Sequence, residues 1–182
     1  NAAFSKAIGK HAVLYAVNGA KESGIEIAKA YNVHGYPTYL LTNADGEILD
    51  RWVGYKSTDD FLATLGEACE SPITVAERTA RFQKDPTEAD AAKLAELRLG
   101  EGLYGEAHAL FQRAAELNPA KSSDYQFAAF SSVTRGAYNN VFDLADAKHA
   151  ADRAMSAQGV SDAQLLKVAY TMRKVASKSG DA

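Results

Sequence analysis

Val33-His34-Gly35-Tyr36-Pro37-Thr38, running on into Tyr39-Leu40-Leu41, is the stretch on which the fold of this chain turns. It leads to Asn43-Ala44-Asp45-Gly46 and then to a second apolar run, Ile48 to Val53. Asp-Gly between two β-prone runs predicts a hairpin, because glycine accepts the positive φ that a tight turn demands. Gly54-Tyr55 follows, then Ser57-Thr58-Asp59-Asp60, a cluster of N-cap residues ahead of Phe61, Leu65 and Cys69 at helical spacing. On its own, Gly35-Tyr36-Pro37 also reads as a plain turn before a strand.

Upstream, Ala12 to Val17 (Ala-Val-Leu-Tyr-Ala-Val) is a short β-prone run that stops at Asn18-Gly19, as a buried strand ending in a turn would. From Ser23 the spacing of Ile25, Ala28 and Tyr31, with Ile27 and Ala30 alongside, predicts a helix closed by Asn32. The predicted order is therefore strand, helix, proline loop, antiparallel hairpin, helix.

That order, with Val33-His34-Gly35-Tyr36-Pro37-Thr38 and Val53-Gly54-Tyr55 in their places, resembles the thioredoxin family. The resemblance implies a cis bond before Pro37 and a role for Gly35, Tyr36, Pro37 and Thr38 in holding an extended substrate peptide. The Tyr36 backbone would pair with that peptide as an added β-strand does. It also implies a central strand and a Trp-Cys-x-x-Cys helix ahead of Asn1, with only Phe4 to Ile8 belonging to the end of that helix. That strand would lie between the Ala12 to Val17 run and the Thr38 to Leu41 run. Unpaired backbone groups left buried in a sheet cost about 1 to 3 kcal/mol each. The expected responses are closure of the two runs, detachment of the first, or its exchange into a second copy, with a homodimer the expected assembly.

The chain has one cysteine, so a two-cysteine redox cycle has no resolving thiol within it, and no catalytic residue is assigned. Cys69, on an apolar helix face, reads as a packed thiol. His34 flanks the proline loop, where it could tune a thiol or simply face water. His11, His108 and His149 are isolated, so no metal site and no cofactor is expected. Asp45, Asp59 and Asp60 read as turn and cap residues.

Ser71-Pro72 reads as N-cap and first helical residue of a helix running toward Phe82, and Asp85-Pro86-Thr87-Glu88 repeats the device with Glu88 at the third position. Residues 1–70 are thus expected as an α/β domain and residues 71–182 as an all-α domain. Leu94, Ala95, Gly102, Tyr104, Ala107, Phe111, Ala114 and Pro119 resemble a tetratricopeptide repeat, with small residues where helices cross and a proline ending the unit. Ala147, Ala151 and Ala154 repeat the spacing of Ala107, Phe111 and Ala114, displaced by an insertion placed at Gly136 to Asn140. Asp124 to Val133 is then a first helix and Ser161 to Lys178 a closing one, with Leu165, Ala169, Met172 and Ala176 inward. An irregular bundle with repeat-like packing is the alternative. Ala92 and Glu96 stand where repeats that hold a partner's terminal carboxylate carry lysine and asparagine, which argues against such a clamp.

Charge and composition narrow the partners. The net charge is -3 over 182 residues with no basic block, so no nucleic acid is expected. No apolar run reaches the roughly 18 residues of a membrane span. Protein or peptide partners remain, and the single cysteine leaves periplasm and cytoplasm equally open. Asn1-Ala2 reads as an artificial start.

Overall fold

A computed structural model of the chain describes residues 6, 8–10, 12–70 and 72–180. Asn1, Ala2, Phe4, His11 and Ser71, to which the sequence reading assigned roles, lie outside them. The chain divides into two compact units, Asn1–Glu77 and Arg78–Ala182.

In the first unit, α1 (Ser23–Ala30) precedes an antiparallel pair, β1 (Thr38–Thr42) and β2 (Ile48–Val53), and α2 (Thr58–Glu70) follows. The pairing runs from Thr38 opposite Val53 to Leu41 opposite Asp50, then slips so that Thr42 faces Ile48. The turn is built on Asn43, whose side-chain oxygen accepts from the backbone N–H of Asp45 and of Glu47, while Gly46 takes φ 82. Tyr31, just past α1, donates its hydroxyl to the Gly46 carbonyl at 3.0 Å and ties the turn to the helix.

The two faces of the hairpin are covered differently. On one, Trp52 and Tyr39 stack at 5.7 Å and Phe61 of α2 meets both rings edge-on, with Leu65 and Ile8 completing the core. On the other, Arg51 is buried and donates to the carbonyls of Tyr31 and Asn32. A cation there satisfies acceptors left open at the end of α1 and opposes the negative end of its dipole.

Ala12 to Val17 does not form the expected strand. Residues 12–18 carry no secondary structure, and Val13 is 96% and Tyr15 81% exposed. The reason is a missing neighbour: β-propensity makes a ladder only against a second strand, and here β1 pairs with β2 alone among the described residues.

The second unit is helical: α3 (Val75–Lys84) leads across the boundary into it, followed by α4 (Glu88–Gly100), α5 (Tyr104–Leu117), α6 (Ser122–Tyr138), α7 (Leu144–Ser156) and α8 (Asp162–Ser179). A short 3-10 turn at Pro119–Lys121 joins α5 to α6. Sequential helices from α4 onward pack against one another, and α8 also reaches α6. Ala107, Phe111 and Ala114, and likewise Ala147, Ala151 and Ala154, are all buried. The alanines let the helix backbones approach closely, and Phe111 fills the space between Ala107 and Ala114.

Four details correct the sequence reading. The helix expected from Pro72 begins at Val75, capped by Thr74, whose hydroxyl accepts from the Glu77 N–H while the Glu77 carboxylate accepts from the Thr74 N–H. The next is capped by Thr87 rather than Asp85, so Glu88 is its first residue and Asp90 its third. In both places a hydroxyl one turn ahead of a carboxylate outweighs the proline, because a cap satisfies orphan donors that proline only lacks. The expected insertion at Gly136 is instead the last part of α6, extended to Tyr138, with Gly136 buried. On α8 the inward line is Val168 and Val175, flanked by Leu165 and Met172, and Ala169 faces outward. The larger apolar side chains occupy the core because they remove more surface from water.

Candidate functional site

The loop Gly35, Tyr36, Pro37 and Thr38 joins α1 to β1, and the Tyr36-Pro37 bond is cis. Two hydrogen bonds shape it: the Thr38 hydroxyl donates to the Gly35 carbonyl at 2.6 Å, and the Gly54 N–H donates to the Pro37 carbonyl at 2.8 Å. The carbonyls on either side of Tyr36 are therefore taken. The N–H and C=O of Tyr36 itself have no hydrogen-bond partner among the described residues. Its side chain is 64% exposed and lies over Gly19, where a Cβ atom would come within 2.4 Å of the phenol oxygen. An exposed aromatic ring beside an open main-chain donor and acceptor is the chemistry that receives an extended peptide.

His34 is exposed and lines a depression of about 350 Å³ with Lys29, Asn32 and Tyr36. Cys69 is a free, half-buried thiol packed on the Trp52 and Leu65 cluster. Asp60 accepts from the Ser57 hydroxyl at 2.7 Å and so belongs to the cap of α2. Among the described residues no group of three or more His, Cys, Asp or Glu side chains could hold a metal ion. In the second unit Ala92 is half-buried and Glu96 is exposed, 3.8 Å from the Lys93 ammonium.

A larger feature adjoins the loop. A cleft of about 720 Å³ separates the 12–17 segment from β1, with Trp52 and Phe61 also in its wall. Among the described residues no charged side chain lines it. Trp52 keeps a buried indole N–H without an acceptor among the described residues. Sequence reasoning placed a gap here but missed Trp52, for which the alternation of Asp50 and Trp52 against Arg51 along β2 was the available signal.

Residues 1–68 match the family model described as a thioredoxin-like domain. No curated protein and no solved structure matches the chain. The sheet is small and the region after it mostly helical, and no helix of the described residues is long and apolar enough to cross a membrane. Residues 1–68 are thus similar to a thioredoxin-like domain, and a helical region follows them.

Proposed function

We propose that the chain is a redox-silent binding module whose Gly35 to Thr38 loop docks extended peptide, and whose helical region, of tetratricopeptide type, offers a second surface to protein partners. The observation that carries this reading is the open N–H and C=O of Tyr36 between two carbonyls that are already engaged. A peptide strand that pairs there gains main-chain hydrogen bonds whatever its sequence, and the exposed Tyr36 ring adds apolar contact. Residues 1–70 and 71–182 are the domains on this reading. Leu166 and Tyr170, exposed one turn apart on α8, supply an apolar stripe for a helical partner.

The test is binding of a reduced, alkylated and permanently unfolded protein, followed by fluorescence anisotropy, alongside an insulin reduction assay. Binding that persists in Cys69→Ser, with no reductase turnover in either protein, supports the module. Turnover abolished by Cys69→Ser would replace it with a thiol enzyme.

The match of residues 1–68 to a thioredoxin-like domain favours a second reading, a piece of a thiol:disulfide oxidoreductase. A Cys-x-x-Cys encoded ahead of Asn1 would decide for it, and the docking role of the loop would then serve that enzyme's substrates.

A further inference from the structure

β1 has helices to either side of its hairpin, yet the edge it turns away from β2 is unpaired among the described residues. Natural edge strands are blunted by lysine, proline, bulges or inward charges. Thr38-Tyr39-Leu40-Leu41-Thr42 has no charge and no proline, and the one irregularity of its ladder lies on the β2 side. Facing it across the cleft is Val13 to Val17, which makes no backbone hydrogen bond among the described residues. Val13, Leu14 and Tyr15 of that segment are 96%, 62% and 81% exposed. Two unprotected, uncharged β-prone segments therefore flank one uncharged slot.

We propose that the slot is an interface: the Ala12 to Val17 segment of a second copy enters it and pairs with the free edge of β1, while the first copy's segment does the same in return. Four features support this occupant. The lining excludes a charged strand, since a charge there would be desolvated without a partner, and Ala-Val-Leu-Tyr-Ala-Val carries none. Six residues span about 20 Å, enough to run along all of a five-residue β1. Val13 to Val17 make no backbone hydrogen bond among the described residues, so only the bond from the Ala12 N–H to the Ile8 carbonyl has to open before the segment moves. The exchange is also closed and self-complementary, each copy giving and receiving the same strand, as a two-fold dimer requires. Tyr36 also lines this slot, and the two readings are told apart by their readouts: peptide docking acts on the Tyr36 amide, whereas strand exchange protects the amides of Val13 to Val17.

Sedimentation of the full chain at micromolar and submillimolar concentration tests it, with hydrogen exchange at Val13 to Val17 and far-ultraviolet circular dichroism measured on the same samples. A dimer is expected whose Val13 to Val17 amides become protected as it forms. Val13→Lys should convert it to a monomer with unchanged helical content, because Val13 is almost fully exposed within the protomer. Tyr15→Lys is the second variant, used if Val13→Lys alters the circular dichroism. A monomer at the higher concentration overturns the proposal: fast exchange would leave the slot to some other strand, and slow exchange would mean that the sheet has closed internally. A dimer insensitive to both lysines overturns it too and moves the contact elsewhere, with the exposed stripe of α8 the next surface to substitute.

Discussion

Arg81 grips the buried Asp90 carboxylate with two hydrogen bonds, Nε to Oδ2 at 2.7 Å and Nη2 to Oδ1 at 2.5 Å. Arg78 adds a third to Oδ1 at 2.9 Å. Asp90 stands at the third position of α4, so its charge also faces the positive end of that helix. The pair joins the last turns of α3 to the start of α4 and fixes how the helical unit begins.

Removing the carboxylate should therefore be expensive. Asp90→Ala leaves Arg78, which is largely buried, without its partner, and a broken buried pair costs about 3 kcal/mol. Urea unfolding should show the midpoint falling at constant slope. Arg81→Ala should cost less, because half of that side chain is in water and Arg78 still holds the carboxylate.

The same carboxylate predicts an acid limb. Hydrogen bonds from Arg81 are the main cause that holds Asp90 below the ordinary carboxylate range, with Arg78 adding to them and burial opposing both. A group whose folded pKa is depressed stabilises fully above its unfolded value of about 3.9, and that share disappears as pH falls through the folded value. Stability of the wild type should thus decline below about pH 4. Asp90→Asn, already lacking the ion pair, should show a shallower decline.

His108 gives a second and separate pH dependence. Its ring is half-buried, lies edge-on to Phe142 at 6.4 Å, and contacts the Ala129 carbonyl through Nδ1 at 3.2 Å. Burial lowers its pKa; the Ala129 carbonyl and the Asp146 charge oppose this, while Arg153 and His149 reinforce it. The unfolded chain then takes up a proton on this residue near pH 6.5 before the folded chain does, so stability rises with pH across that window and falls as pH drops through it. A thermal-unfolding series from pH 7.5 to about pH 5 should show this slope in the wild type and lose it in His108→Gln.

Gly136 is the position where an ordinary helix-stabilising substitution should fail. Alanine is worth up to about 1 kcal/mol over glycine in a helix interior. Here, however, the added Cβ would sit 2.4 Å from Cδ2 of Phe142 and 3.2 Å from Cβ of Tyr104. Overpacking of this kind costs about 1 to 3 kcal/mol, so Gly136→Ala should be net destabilising in chemical denaturation. Gly136→Ala combined with Phe142→Ala should recover part of the overpacking cost, since the two changes share one contact.

These residues also show what a linear reading can and cannot reach. The hairpin was legible because its signals are local: Asp45-Gly46 dictates the turn, and two β-prone runs adjoin it. Two helices start two or three residues beyond Pro72 and Pro86, because a proline marks a permitted first position while the hydroxyls of Thr74 and Thr87 do the capping. The Asp90 site was invisible, since its arginines lie 9 and 12 residues away and only the helix packing brings them together. On α8 the spacing of Leu165 and Met172 fits two inward lines, and the bulk of Val168 and Val175 decides between them. Ala12 to Val17 has a strand's composition and no strand's partner, and composition carries no record of what lies alongside.

The loop before β1 makes a further prediction. Thr38→Val removes the hydroxyl that donates to the Gly35 carbonyl, so it should lower stability by about 1 kcal/mol and free that carbonyl at the surface. Amide exchange at Gly54, whose N–H donates to the Pro37 carbonyl of the same loop, should quicken while β2 stays as protected as before. Equal loss of protection throughout β2 would mean that the bond supports the sheet rather than the loop.

Amide-resolved chemical-shift mapping of the labelled chain during titration with an unfolded, alkylated protein tests the docking of extended peptide at Tyr36 most directly. The account predicts that the largest shifts fall on the amides of Gly35, Tyr36 and Thr38, with slowed exchange at the Tyr36 N–H, which has no partner in the free chain. Binding that leaves those amides unmoved while shifting the helical unit, or no binding at all, would contradict it.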